Sequence, residues 1–453
     1  MSFAADFVWG AAAASYQIEG ASREDGKGPS VWDVMSREPG KIWEGNTGDV
    51  SCDHYHRYEE DVRLMWEIGL KAYRLSISWP RVMPNGTGTV NEKGLAFYDR
   101  LVDVLLENGV QPWVTLFHWD YPYPLFQRGG WLNPDSSDWF AEYAQAIVDK
   151  LSDRVSCWMT LNEPQVFVDS GHRLGRHAPG LQLGLTNVLT AAHNALLAHG
   201  KAVQVIRHRA RSQPTIGAAP VGIISFPETE SAKDIEAARK RMFSVTERNC
   251  WNNSWFAEPM VLGHYPEEGM TLFGSDMPDL PERDLRTICQ PLDFYGANIY
   301  HGQCVRASDD GSFDLVKEAD GPALTTMDWR VTPEALYWGP RYLFERYKLP
   351  IVVTENGMAN CDWVQLDGRV RDPQRIDFLT RYLRQLKRAT DDGVPVKGYF
   401  LWSVMDNMEW AQGYKQRFGL IYVDYATGKR TIKDSAYWYK ELISTNGSIL
   451  GDS

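Results

Sequence analysis

The segment Ile351-Val352-Val353-Thr354-Glu355-Asn356-Gly357 decides the fold. Its apolar, β-branched run reads as a buried strand, and the run stops at a carboxylate where a loop takes over. The stretch ending in Thr160-Leu161-Asn162-Glu163-Pro164 repeats this grammar: an apolar run, then a Glu beside an Asn. One such Glu is more often a surface charge than a reactive group. Two of them, each closing an apolar strand, call for an architecture that brings strand ends together.

The rest of the chain supplies it. Buried-strand runs recur at 8–15, 72–78, 112–117, 155–161, 215–221, 294–299, 351–354 and 398–402. Helical periodicity lies between most of them, at 55–68, 95–107, 139–151, 188–208, 235–262, 333–347 and 375–390. In 55–68, Tyr58, Val62, Met65 and Trp66 form one face and charges the other. Thr332-Pro333 is a helix-start signal, with Thr as cap and Pro in the first turn. Strands alternating with helices imply a parallel sheet, and eight such units imply an α/β fold, a closed (β/α)8 TIM barrel. An open doubly wound sheet would usually carry a Gly-rich phosphate turn after its first strand, and Gly10-Ala11-Ala12-Ala13-Ala14 is not one. No linker or low-complexity stretch divides the chain, so residues 1–453 are expected to form a single catalytic domain. A minimal barrel needs about 250 residues. The surplus is expected in long βα loops, chiefly 20–53, 162–186 and 301–330, which would deepen a pocket at the strands' C-terminal ends.

Composition narrows the partners. A net charge of −12 argues against a nucleic-acid surface, and no apolar run is long enough to span a membrane. Six cysteines lie far apart with no C-x-x-C, which suits buried free thiols in a reducing compartment better than disulfides or zinc. The opening Met1-Ser2-Phe3-Ala4-Ala5-Asp6 lacks a basic, then apolar, leader. A cytoplasmic location is the expectation. The chain holds 18 Trp and 21 Tyr, most of them assigned to packing and a few to sugar-ring platforms near the motifs.

At the strand ends stand Gln17 and Glu19, Arg74 and Trp79, His118-Trp119-Asp120, Asn162-Glu163, Asn298 and Tyr300, Glu355, and Trp402 followed by Glu409-Trp410. A barrel would converge these on one rim. Gln17, His118, Asn162 and Glu409 supply donors and acceptors suited to sugar hydroxyls, and Trp402 and Trp410 supply apolar walls with an N–H handle. Arg74 beside a carboxylate would keep it ionised, and Tyr300 could donate to the same group. The second Glu must hold a proton at neutral pH, which desolvation or a nearby carboxylate achieves. Hydrolysis of a glycosidic bond with retention needs such a pair, about 5–5.5 Å apart.

These residues resemble glycoside hydrolase family 1, the retaining β-glucosidase type, over nearly the whole chain. Phe7-Val8-Trp9-Gly10-Ala11-Ala12-Ala13-Ala14-Ser15-Tyr16-Gln17-Ile18-Glu19-Gly20 is similar to that family's N-terminal signature, Thr160–Pro164 to its acid/base motif and Val353–Gly357 to its nucleophile motif. The resemblance implies that Glu163 is the acid/base and Glu355 the nucleophile. It implies that Gln17, His118, Asn162, Glu409 and Trp410 hold the glycone over a Trp402 floor. Arg74, Asn298 and Tyr300 would support the nucleophile and the sugar's 2-hydroxyl region, and Trp329 would stand on the aglycone side. The implied substrates are terminal β-D-glucosides, with β-fucosides and β-galactosides beside them, as small-molecule β-glycosides or short β-linked oligosaccharides. No cofactor or metal is implied.

The chain departs from the family pattern at Ile299, Tyr121 and Gln165, positions that bear on the aglycone rather than the reaction. Three rivals and a thioglucosidase variant stand against this reading. A 6-phospho-β-glycosidase would carry Ser, Lys and Tyr where this chain has Glu409, Gln416 and Phe418. A transglycosidase would share every catalytic residue. A non-catalytic carbohydrate-binding barrel would usually lose one Glu, and a thioglucosidase would replace the acid by Gln. Asp53-His54-Tyr55-His56 superficially resembles a metal cluster, but the two rings would face apart on a helix, and capping by Asp53 is expected instead. His172 and His177 are candidates for the pocket mouth, and His301 for the rim. Trp251 and Trp255, four apart, read as a packed helix face.

Overall fold

The computed structural model describes residues 2–317 and 320–451. Met1, with which the N-terminal reading begins, lies outside them, as do Glu318, Ala319, Asp452 and Ser453. All eight expected strands form: β1 Val8–Ala12, β2 Ala72–Ser76, β3 Gln111–Phe117, β4 Cys157–Asn162, β5 Thr215–Ala219, β6 Tyr295–Asn298, β7 Ile351–Asn356 and β8 Val396–Trp402. They pair in parallel in the order β5-β4-β3-β2-β1-β8-β7-β6. The circle closes just past β5, where Gly222 N donates to Asn298 O at 2.7 Å and Asn298 N to Pro220 O at 3.1 Å. The result is a nearly closed (β/α)8 barrel.

An outer ring of helices covers it: α1 His54–Glu67, α2 Glu92–Glu107, α3 Ser136–Leu151, α4 Leu185–Arg209, α5 Ser254–Val261, α6 Ala335–Tyr347, α7 Pro373–Asp391 and α8 Asp434–Ser444. Some, such as α5, are buried nearly all round; others bury one stripe. On α7, Phe378, Leu379, Tyr382, Leu383 and Leu386 form the buried stripe. The buried apolar side chains join into one contiguous cluster.

The barrel's interior is filled by rings. Trp113 lies 5.0 Å from Phe400 and 5.6 Å from Phe294, centroid to centroid. Two glycines make room. A Cβ on Gly10 would stand 2.6 Å from the Phe400 ring and 2.8 Å from the Ala72 carbonyl, and one on Gly217 would stand 2.5 Å from the Phe294 ring.

Several local expectations are corrected. β1 stops at Ala12, and Ser15–Ile18 is a helical turn that carries Gln17. The helix expected over 235–262 is two, Ala232–Phe243 and Ser254–Val261. Between them, asparagine side chains take over backbone hydrogen bonds that a helix would use. Asn249 Oδ1 accepts from Trp251 N, Asn252 Oδ1 from Trp255 N, and Asn253 bridges Ile223 and Met242. Trp255 is therefore core, but Trp251 is 42% exposed and not part of a packed helix face. α6 begins at Ala335 rather than Pro333, because the Thr332 hydroxyl accepts from Gly302 N instead of capping. Asp53 precedes α1 in a left-handed conformation, and its carboxylate bonds the His56 ring rather than a helix N–H. His54 turns the other way, onto Asp61. Of the cysteines, Cys52, Cys157 and Cys250 are buried as expected, while Cys289 and Cys304 are half-buried and Cys361 is exposed. All six are unpaired.

The long loops carry structure of their own. Residues 20–53 include the turn Val31–Met35, closed by a Ser30–Asp33 capping box. Residues 162–186 include the wide helical segment Val166–Arg173. Residues 301–330 contribute Gly302–Ala307 and Phe313–Leu315 to a small sheet with Ile224–Pro227. The loops after β7 and β8 are locked by buried ion pairs: Lys433 Nζ lies 2.7 Å from Asp362 and 2.6 Å from Asp406, while Arg375 bonds Asp362 and Arg417 bonds Asp406.

Gly10→Ala is expected to fold with a loss of about 1–3 kcal/mol, because its methyl group overpacks the Phe400 layer against a rigid carbonyl. A thermal scan checks this; a melting temperature equal to that of the parent would show that the ring layer has slack.

Candidate active site

Both carboxyls sit at strand ends. Glu163 is the first residue past β4, and its N–H donates to Ala219 O of β5 at 2.8 Å. Its φ of 44° is left-handed, a conformation a non-glycine residue adopts only when its surroundings fix it. Glu355 lies one residue inside the end of β7, and its carbonyl accepts from Ile299 N at 2.8 Å. Gly357, two residues on, passes so close to β8 that a Cβ there would stand 1.9 Å from the Trp402 carbonyl.

The two acids differ in their partners. Arg74, on β2 and 1% exposed, bonds Glu355 Oε1 directly and gives its second nitrogen to Asn162 Oδ1 at 2.6 Å. Tyr300 Oη donates to Glu355 Oε2 at 2.7 Å. Glu163 receives only an amide: Asn298 Nδ2 donates to its Oε1 at 2.9 Å and to Asn162 Oδ1 at 3.0 Å. Thr354 holds Asn298 through its Oδ1 at 2.7 Å. Burial and the nearby Glu355 charge push Glu163 up to about 8. Burial raises Glu355 as well, opposed by Arg74 and the Tyr300 hydroxyl. With a guanidinium on one carboxyl and none on the other, the shared proton belongs on Glu163 and the charge on Glu355.

A cavity of about 400 Å³ opens over this pair. Its walls include His118, Trp119, Trp329, Trp402, Glu409 and Trp410. Arg74, Asn162 and Gln17 stand behind the surface, each at most 1% exposed. Asn162 Nδ2 donates to His118 Nε2 at 3.0 Å, so the imidazole carries its proton on Nδ1. Burial and Arg74 keep that ring neutral, its pKa far below the ordinary value. Gln17 Nε2 bonds Asn407 Oδ1 and Met408 O at 2.9 and 3.0 Å and reaches Glu409 Oε2 at 3.3 Å. Burial and Glu355 raise Glu409 to about 8, against the Trp402 and Gln17 donors. His118 stacks between Trp402 and Trp410, 5.8 Å from each. Trp329 packs 5.0 Å from Tyr300 at the outer end.

Other named residues fall elsewhere. Glu19 is buried on Arg81 and Tyr98, and Trp79 is core. His172 is buried with Nδ1 on the Phe167 carbonyl, whereas His177 and His301 reach the cavity wall. Trp119 has no role assigned by its sequence motif. It has φ 79°, donates from its indole to Asn162 O at 2.9 Å and packs 4.5 Å from Trp410. Its place between His118 and Asp120 in a strand-end motif was the available signal. In the sequence Thr354 and Phe418 stand out only as a strand residue and as a position lacking a phosphate-binding Tyr; the former holds Asn298 and the latter lines the cavity.

A (β/α)8 barrel with two buried carboxyls and an aromatic-walled cavity at its C-terminal rim defines a class, the barrel enzymes that cleave glycosidic bonds. The model of glycosyl hydrolase family 1 matches residues 1–448. Beta-glucosidase A of Acetivibrio thermocellus is 47% identical, with 99% of this chain and 99% of that protein covered. The 1,4-beta-D-glucan glucohydrolase of Thermotoga neapolitana is 43% identical over 98% of this chain and 99% of its own length. The solved structure of the Thermotoga maritima beta-glucosidase in complex with glucoimidazole superposes with a TM-score of 0.90 at 44% identity, covering 98% of this chain and 99% of that one. The chain belongs to glycosyl hydrolase family 1 and is a glycosidase.

The raised Glu163 carboxyl has a stability consequence. Between its ordinary value of 4.5 and about 8, the folded state keeps a proton that the unfolded state has released. Stability from this group therefore falls as pH rises through that window. Glu163→Gln removes the titration, so its melting temperature should gain on the parent steadily from pH 5 to pH 8 (~3 pH units). A constant difference would place the proton elsewhere.

Proposed function

We propose that this glycosidase is a retaining, exo-acting β-glucosidase that releases terminal non-reducing β-D-glucosyl residues from β-glucosides and short β-linked gluco-oligosaccharides, and that accepts β-fucosides and β-galactosides. Residues 1–453 work as one catalytic unit. The observation that carries the reading is the asymmetry of the two acids: Arg74 and Tyr300 on Glu355, a neutral amide on Glu163.

In the first step, Glu355 attacks the anomeric carbon while Glu163 protonates the departing oxygen. A covalent glucosyl ester on Glu355 results. In the second step, Glu163, now a base, takes a proton from water as it attacks the same carbon, and Glu355 leaves. Arg74 and Tyr300 keep Glu355 charged before attack and stabilise it as it leaves. Asn298 orients the acid and, with Asn162, faces the 2-hydroxyl region. Gln17, His118, Asn162, Glu409 and Trp410 hold the glucosyl unit over Trp402, and Trp329 borders the aglycone. Gln17 Oε1 is buried without a protein partner, an acceptor left for a sugar hydroxyl. The names of the two curated relatives, a beta-glucosidase and a 1,4-beta-D-glucan glucohydrolase, support the substrate class.

Against a 6-phosphosugar stands the chemistry beside the glycone. Glu409 is an acid and not a phosphate-binding Ser, Phe418 is apolar, and the Gln416 amide is spent on Thr326 at 2.6 and 3.0 Å. Six unpaired cysteines support a reducing compartment, the cytoplasm. Among the described residues, no helix is long and apolar enough to cross a membrane.

Glu355→Gly should abolish hydrolysis of p-nitrophenyl β-glucoside, and external azide should restore p-nitrophenol release with an α-glucosyl azide product. Full activity without azide would overturn the assignment of the nucleophile. In the parent, kcat/KM should fall on the alkaline side as Glu163 loses its proton near about 8. Glu163→Gln should retain cleavage of activated aryl glucosides better than of cellobiose, because a good leaving group needs no proton.

A further inference from the structure

Asp120 closes the strand-end motif His118-Trp119-Asp120, and neither step of the reaction uses it. Its side chain is 1% exposed and forms no ion pair among the described residues. Oδ2 lies 3.2 Å from the Ser15 hydroxyl, and Oδ1 is buried without a hydrogen-bond partner. Ser15 in turn meets Ser76, the last residue of β2, twice: its N–H donates to the Ser76 hydroxyl at 2.8 Å, and its own hydroxyl accepts from Ser76 at 3.1 Å. Asp120, Ser15 and Ser76 thereby tie together the ends of β3, β1 and β2.

This chain of hydroxyls reaches two groups assigned to the glycone. Ser15 opens the turn Ser15–Ile18, which carries Gln17. Asp120 stands two residues past His118, and Trp119 between them is held at a φ of 79°. The charged and titratable groups facing the carboxyl come from three elements. Glu19 ends the Ser15–Ile18 turn and is bonded by Arg81 Nε at 2.8 Å and Tyr98 Oη at 2.6 Å. Lys27, from the loop after β1, is committed to Asp33 at 2.9 Å. Tyr143 of α3 gives its hydroxyl to the Ile77 and Leu116 carbonyls. Burial pushes Asp120 up to about 7, with Glu19 adding to it and Ser78 and Lys27 opposing it. A carboxylate in this place would need donors that the fold does not supply, whereas the neutral acid can share its proton with Ser15 and leave Oδ1 unpaired at far lower cost.

We infer that Asp120 is a positioning residue that works as a neutral carboxylic acid, its proton holding the Ser15 turn so that Gln17 and His118 stay set for the glycone. This rests on the proposed glycone roles of those two residues. Asp120 touches neither the sugar nor the reacting atoms. When its proton leaves, the new charge faces Glu19 across the turn and draws the Ser15 hydroxyl away from Ser76. Glycone binding is therefore tight while Asp120 is protonated and weakens as pH rises through about 7, whereas kcat follows Glu163 at higher pH.

The test reads KM and kcat for p-nitrophenyl β-glucoside, with the inhibition constant of D-glucose, from about pH 5.5 to about pH 7.5. That range ends below about 8, where Glu163 and Glu409 release their protons. In the parent, KM and the glucose constant should rise together by about fourfold, with kcat changing by less than about twofold. Asp120→Asn keeps the shape without the titration, so its KM should stay flat, within about twofold of the parent's low-pH value. Asp120→Ala should raise KM about tenfold at every pH, a loss that the Asn variant avoids. A parent KM independent of pH, or the same rise persisting in Asp120→Asn, would overturn the inference. The parent profile decides even where a variant fails to fold. A parent inactive on the aryl glucoside would instead overturn the β-glucosidase reading; the same comparison then runs on the glycoside it cleaves, so the two failures are distinguishable.

Discussion

The active site depends on one guanidinium. Arg74 lies within the barrel beneath a rim that holds two buried carboxyls, Glu163 and Glu355, and the half-buried Glu409. Three charges in such a place would be prohibitive, and the interior responds by raising carboxyl pKa values until most of the charge is gone. Arg74 decides which one stays ionised, because it touches Glu355. Its second nitrogen fixes Asn162, which in turn fixes Asn298 and the tautomer of His118. A single buried cation on β2 thereby sets the charge or orientation of groups at the ends of β3, β4, β6 and β7.

Holding these groups requires strained backbone. Glu163, Trp119 and Trp410 have φ of 44°, 79° and 48°, and each lines the cavity. Conformations of this kind persist where surrounding contacts overdetermine them. For Trp410 those contacts are Trp32 at 4.6 Å, Trp119 at 4.5 Å and a parallel Tyr16 at 6.1 Å. The buried Lys433, Asp362 and Asp406 cluster anchors the loops that carry Trp410 and follow Glu355. Long loops after β1, β7 and β8 thus serve as scaffolding for the rim as much as walls for a ligand.

Much of this was legible in the sequence because strands buried on both faces leave an unbroken apolar signature, and because a barrel forces chemistry onto strand ends. Ile351–Thr354 announced β7, and the Glu that followed announced the site. What could not be read depends on contacts between distant segments. Asn249, Asn252 and Asn253 break a helix by bonding backbone that sequence periodicity treats as helical, and they turn Trp251 outward. Thr332 looks like a cap until Gly302 claims its hydroxyl. Asp53 stands at the capping position but bonds His56. Which of two similar glutamates keeps the proton came from the family resemblance alone; its physical cause is visible only where Arg74, far away in sequence, touches Glu355.

The closure of the barrel also sets a timetable. β1 pairs with β2 on one side, but its other neighbour is β8, with Val8 opposite Gly398. At about 5–20 residues per second, a ribosome releases that partner roughly 20–80 s after β1. Through that interval the Phe3, Phe7 and Trp9 ring cluster lacks Tyr399 and Tyr439, against which Trp9 finally packs. The nascent chain therefore carries an open sheet edge and a bare aromatic face for most of its synthesis, and its yield in a cell is governed by what shields them until the last strand arrives.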